Sequence, residues 1–162
     1  MSEYVSENLN ILLETAQSKH ETILSNIRSL DIKASIILAF FGVLLIPYFD
    51  ISQWIIKKDG FIFLKFIPGL FVIIGIILCL IALFPQKSLT YPKLSFLENM
   101  YLNKIMPNNF KAELFSYYKE SCRQNNKISV KKLKFLNLAL IFLIISFAVV
   151  ILLFIFKGDI NV

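Results

Sequence analysis

One histidine, two cysteines and five glycines are spread through 162 residues, and three long stretches hold no Asp, Glu, Lys or Arg at all. Each scarcity closes off a class of chemistry. A hydrolytic or transfer enzyme needs a nucleophile beside a base, or paired acids, whereas His20 stands alone on the apolar face of a helical pattern, the ordinary place for a packed residue. A transition-metal centre needs several Cys or His at ligand spacing, and His20, Cys79 and Cys122 do not provide it. The glycines, at 42, 60, 69, 75 and 158, form no phosphate-cradling loop. Cys79 lies in an apolar block and Cys122 in a polar one, which predicts two free thiols and no disulfide. No enzymatic activity, cofactor or metal is expected. Glu3, Glu7, Glu14 and Glu21 interrupt the first thirty residues, with no compact apolar core before a cleavage site, so the N-terminus is expected to be retained.

Apolar mass is abundant instead. Hydrophobic residues make up 57% of the chain, and sixteen Phe nearly match seventeen Lys plus Arg. They gather in three blocks, 34–49, 66–84 and 135–156, instead of recurring at a helical or strand period, the pattern of lipid-facing surface. The first block is sixteen residues, about 24 Å of helix and slightly short of a ~30 Å hydrocarbon core. Lys33 and, at the far end, Tyr48 and Trp54 extend it into the interfaces. Pro47 is expected to end or bend it. The second block ends at Pro85, with Pro68 in its first turn. The third carries Asn137 one turn in and stops at Lys157-Gly158. Ser35, Ala39 and Gly42 form a strip of small residues on which another helix could pack closely.

The remaining segments read as helical too. In residues 1–33, Leu9, Leu12, Leu13, Ala16, His20, Ile23, Leu24 and Ile27 recur at three-and-four spacing. With no Pro or Gly from Glu7 to Phe41, this amphipathic stalk is expected to run unbroken into the first span. Residues 50–65 are a short connection with a turn signal at Lys57-Lys58-Asp59-Gly60. Residues 85–134, punctuated by Pro92 and Pro107-Asn108-Asn109, predict two or three helices. The first carries Phe96, Leu97, Met100, Tyr101 and Ile105, and the second, from about Asn109, carries Phe110, Leu114, Tyr117, Tyr118 and Cys122. Polarity rises at Arg123-Gln124-Asn125-Asn126, after which a third helix fuses with the last span. The expected fold is an all-α membrane protein with three transmembrane helices and a small cytosolic helical bundle.

Charge asymmetry orients it. Residues 1–33 and 85–134 carry thirteen Lys and Arg, and residues 50–65 and 157–162 carry four. The positive-inside rule then puts the N-terminus in the cytosol and the C-terminus outside. The net charge of +6 is concentrated beside the spans, so anionic lipid is the nearer partner and no direct nucleic-acid contact is expected. Lys127, Lys131, Lys132 and Lys134 read as a headgroup anchor before the third span. Asp31, Lys33 and Asn137 are the polar groups at the mouth of the spans. They are expected to be snorkelling residues with a local Asp31–Lys33 pair; the functional alternative is a gating ring at the mouth of an oligomeric pore.

The run His20-Glu21-Thr22-Ile23-Leu24-Ser25-Asn26-Ile27-Arg28-Ser29-Leu30-Asp31-Ile32-Lys33-Ala34-Ser35, entering Ile36 to Leu45, resembles the start of the Pycsar transmembrane effector family, with Asp31, Lys33 and Ala34 matching its D-x-K-A pattern. Two-span SLATT effector domains begin similarly. Phe84-Pro85 at the end of the second span, and Gln124-Asn125 to Lys131-Lys132 before the third, also resemble this family. The resemblance covers about Leu9 to Phe156 and implies a bacterial anti-phage effector of the inner membrane. In such a system a sensor protein or nucleotide second messenger reports infection, the effector assembles as a homo-oligomer, and membrane integrity is lost. The 162 residues leave no length for a separate cyclic-nucleotide-binding domain, so sensing is expected in another chain or in the cytosolic helices. Two other readings compete. A scaffold or accessory subunit would anchor a defence complex without depolarising the cell, and a holin-like lysis protein would be similarly small and multi-spanning, although the predicted orientation fits the usual three-span holin poorly.

Overall fold

The computed structural model describes the backbone of residues 2–56, 62–102 and 106–159, and the side chains of residues 7–50, 66–102 and 106–155. The described residues form four helices and no strand: α1 (Ser2–Ile56), α2 (Ile62–Leu83), α3 (Leu94–Leu102) and α4 (Pro107–Asp159). The expected turn at residues 57–60, the apolar contact of Ile105 and the side chain of Trp54 lie outside the described residues. The chain divides into two compact units. One comprises Met1–Ser29 and Pro85–Val130, the other Leu30–Phe84 and Lys131–Val162.

In the first unit, α1 and α4 lie side by side and run in the same direction. Ile23 and Ile27 bury against Cys122 and Ile128, and the Cys122 thiol donates to the Ala16 carbonyl at 3.8 Å. Upstream the apolar stripe of α1 is less covered, and Leu12 is exposed. The polar run 123–126 does not end a helix, because α4 continues unbroken through it. Its four side chains point different ways, with Asn125 buried and Arg123, Gln124 and Asn126 exposed. The sequence-level pattern missed this because a polar residue on the buried face looks like a loss of periodicity.

In the second unit, parts of α1, α2 and α4 pack around Phe41, Val72, Cys79 and Ala139, with Leu30, Ala34, Ala82 and Leu136 forming a second cluster. Small residues set the spacing. The Phe41 ring occupies the place where a side chain on Gly75 would begin, and a Cβ on Gly69 would lie 2.5 Å from the Tyr48 hydroxyl. These α2 glycines are therefore the close-approach positions, whereas Ser35, Ala39 and Gly42 are exposed and a Cβ on Gly42 would meet nothing within 4 Å.

Two prolines lie inside helices. Pro47 does not terminate α1, which continues to Ile56, and Pro68 is past the first turn of α2, which starts at Ile62. Each deletes a helical hydrogen bond, a loss that neighbouring helices can absorb in a span. The outward surface is strongly apolar: Phe40, Val43, Ile46, Phe66, Ile73, Ile144 and Phe147 are all more than half exposed. With lipid as the surrounding medium, this surface needs no polar cover.

Candidate functional site

Polar side chains of interest gather in two places in each unit. In the first unit, the non-helical segment after α2 is tied to α1 and α4 by a fully buried pair, His20 and Asn125. The Leu89 amide donates to Asn125 Oδ1 at 3.0 Å. The Leu89 carbonyl accepts from Asn125 Nδ2 at 2.7 Å and from His20 Nε2 at 2.9 Å. Because a carbonyl can only accept, the proton of neutral His20 sits on Nε2. His20 Nδ1 is then a buried acceptor without a partner, as is the Ser121 hydroxyl oxygen among the described residues. Tyr118 and Tyr91 pack edge-on against the imidazole at 5.4 and 6.1 Å, and the Tyr117 hydroxyl donates to the Tyr91 carbonyl at 3.0 Å. The geometry is that of a structural clamp, and among the described residues no hydroxyl or thiol hydrogen-bonds to the ring.

A crevice of about 490 Å³ opens in the same unit, lined by Lys19, Lys119 and Arg123 together with Leu12, Ala16, Ile23 and Phe115. Glu120 lies 3.8 Å from Arg123, and both side chains are exposed. Cys122 also lines it. Burial pushes the Cys122 thiol above its ordinary value, and the nearby Lys19 charge partly opposes that.

In the second unit, Asp31 on α1 pairs with Lys132 on α4, and the lysine side chain is only 5% exposed. Asp31 is therefore engaged across the helix pair, not with Lys33 two residues away. Lys132 likewise departs from the headgroup anchor assigned by spacing, whereas Lys127, Lys131 and Lys134 are exposed. Lys33 and Asn137, by contrast, are brought together. Both line one crevice of about 270 Å³ between α1 and α4, with apolar walls that include Leu30, Ile36, Leu136 and Leu140. Among the described residues, no group of three or more His, Cys, Asp or Glu lies together as a metal site.

The burial of Asn125 and the pairing of Lys132 escaped the sequence reading. A signal exists, since Tyr118, Cys122, Asn125, Lys132, Leu136 and Ala139 continue one buried stripe of α4 at helical spacing. Only their polarity disguised it.

Three helices of the described chain are long and apolar enough to cross a membrane, those containing Glu7–Asp50, Phe66–Leu83 and Pro107–Ile155. Together with the lipid-like exterior they define a multi-pass, all-α membrane protein. A family model described as the Pycsar effector protein domain matches residues 15–157. The chain belongs to the Pycsar effector family, and is accordingly an anti-phage defence effector with a transmembrane domain. No curated protein and no solved structure matches it.

Proposed function

We propose that the protein oligomerises in the bacterial inner membrane and permeabilises or disrupts it when a sensor partner or nucleotide second messenger signals infection. The family match over residues 15–157 carries this reading. Support for an assembled rather than single-copy activity comes from the spans. Among their described residues Ser146 is the one buried polar side chain, and its hydroxyl donates to the Phe142 carbonyl of its own helix at 2.7 Å. A single subunit thus offers no polar path, and a pathway would have to form between copies. The exposed strip of Ser35, Ala39 and Gly42 is suited to such a contact.

In this reading residues 1–33 and 85–134 are cytosolic, residues 34–49, 66–84 and 135–156 span the membrane, and the C-terminus is outside. Asp31, Lys33 and Asn137 stand at the cytosolic mouth, and Lys127, Lys131 and Lys134 contact headgroups. The crevice lined by Lys19, Lys119 and Arg123 together with Phe115 suits an anionic messenger with a flat apolar part.

Induced expression with a potential-sensitive dye tests the effector reading. Triggered cells should depolarise, and Gly42→Leu should reduce both cross-linked oligomer and depolarisation. Intact potential in triggered cells would instead support a scaffold that anchors a defence complex, a second reading favoured by Tyr101, Leu102 and Met106, all more than 70% exposed.

A further inference from the structure

The crevice holding Lys33 and Asn137 has a composition that defines a ligand. Leu30, Lys33, Ile36 and Ile37 approach from α1, and Leu133, Leu136, Asn137 and Leu140 from α4, around a volume of about 270 Å³. Two polar side chains, one cationic and one able to donate two hydrogen bonds, thus sit in an otherwise apolar slot. Neither has a hydrogen-bond or ion-pair partner among the described residues. The nearest acid in sequence, Asp31, is taken by Lys132. Asn137 is exposed two residues beyond the start of the third apolar block, and a side-chain amide at the edge of a span is costly to leave unbonded.

We infer that this crevice is a binding site for an anionic phospholipid, with the phosphodiester held by the Lys33 ammonium and the Asn137 amide and an acyl chain laid along Ile36, Leu136 and Leu140. A second copy of the chain is the weaker occupant. Two copies meeting at this face would bring Lys33 against Lys33, and the three spans contain no carboxylate to neutralise either one. Exposed Lys131 and Lys134 nearby on α4 favour an anionic headgroup over one carrying its own cation. The inference rests on unit two lying in a membrane, and does not require that the membrane be permeabilised.

The test is native mass spectrometry of the full chain released from vesicles of equal parts phosphatidylglycerol and phosphatidylcholine. Wild type should retain phosphatidylglycerol selectively. Loss of a charge-assisted contact should lower that retention about tenfold in Lys33→Ala and in Asn137→Leu. Lys33→Arg should keep it, as should Lys87→Ala, which removes the same charge from an exposed site in the other unit. Circular dichroism would verify that each variant remains helical. Equal retention of the two lipids by wild type overturns the assignment, as does unchanged retention in Lys33→Ala. Displacement of the lipid by inorganic phosphate alone would make it a free-anion site and also overturn it. So would an Asn137→Leu protein that loses its oligomer but keeps its lipid. Depolarisation is scored separately, so failure of the effector reading leaves these results readable.

Discussion

Asp31 and Lys132 form an ion pair across α1 and α4 in which the lysine is almost wholly buried at 5% exposure and the aspartate remains 39% exposed. The asymmetry decides which partner is harder to lose. Removing Asp31 strands an ammonium in an apolar setting, whereas removing Lys132 leaves a carboxylate that water still reaches. Asp31→Ala should therefore destabilise the protein by about 2 kcal/mol, a value below that of fully buried pairs because Asp31 is partly solvated, and Lys132→Met by less than about 1 kcal/mol. The double variant Asp31→Asn with Lys132→Met should recover much of the loss. Thermal unfolding in detergent measures all three, and equal effects of the two single variants would contradict the asymmetry.

The Leu89 clamp separates shape from hydrogen bonding. Asn125→Leu keeps the branched heavy-atom skeleton but leaves the Leu89 amide without its acceptor, at a cost of about 1–3 kcal/mol. His20→Phe should be milder than His20→Ala, since the ring volume is kept and the unpartnered Nδ1 is removed. Hydrogen exchange across residues 85–93 should speed up markedly in Asn125→Leu and little in His20→Phe.

Gly75 should not tolerate even a methyl group. The Phe41 ring fills that position, so Gly75→Ala should cost about 1–3 kcal/mol through overpacking, and Phe41→Leu in the same chain should relieve part of it. Gly42→Ala, with open space around it, should leave the unfolding temperature within a degree or so of wild type, or raise it slightly through helix propensity.

Cys122 reports on its own burial. Its raised thiol value, caused first by burial and opposed by Lys19, means that less of the nucleophilic thiolate is present at neutral pH than in a free cysteine. In a Cys79→Ala background, maleimide labelling should be slow near neutrality and accelerate as pH rises past the ordinary thiol range. Lys19→Ala should slow it further. The linkage has a definite sign: the folded state holds this proton more tightly than the unfolded one, so its contribution is complete below the unfolded thiol value and is lost as pH rises through the folded value. Labelling that speeds up in Lys19→Ala would contradict the assignment.

How much of the site was legible follows from distance along the chain. Lys33 and Asn137 could be named as mouth residues because each borders or enters an apolar block. Their meeting in one crevice could not be, since 104 positions separate them. Lys132 looked like its neighbours Lys131 and Lys134, and only the facing Asp31 distinguishes it. The strip of Ser35, Ala39 and Gly42 and the glycines of α2 share the same small-residue signature. Which of them receives a neighbour within the chain depends on helix rotation, a tertiary property.

The sequence by itself determined that this is an all-α, three-span membrane protein of the Pycsar effector family. Hydrocarbon offers no partner to backbone groups, so long uncharged runs have to be helices, whatever surrounds them. Tertiary structure alone decided the polar pairings: Asp31 with Lys132, Asn125 and His20 with Leu89, and Lys33 beside Asn137. Each joins residues about 36 to 104 positions apart, and each depends on how distant segments lie against one another, a register that local periodicity does not encode.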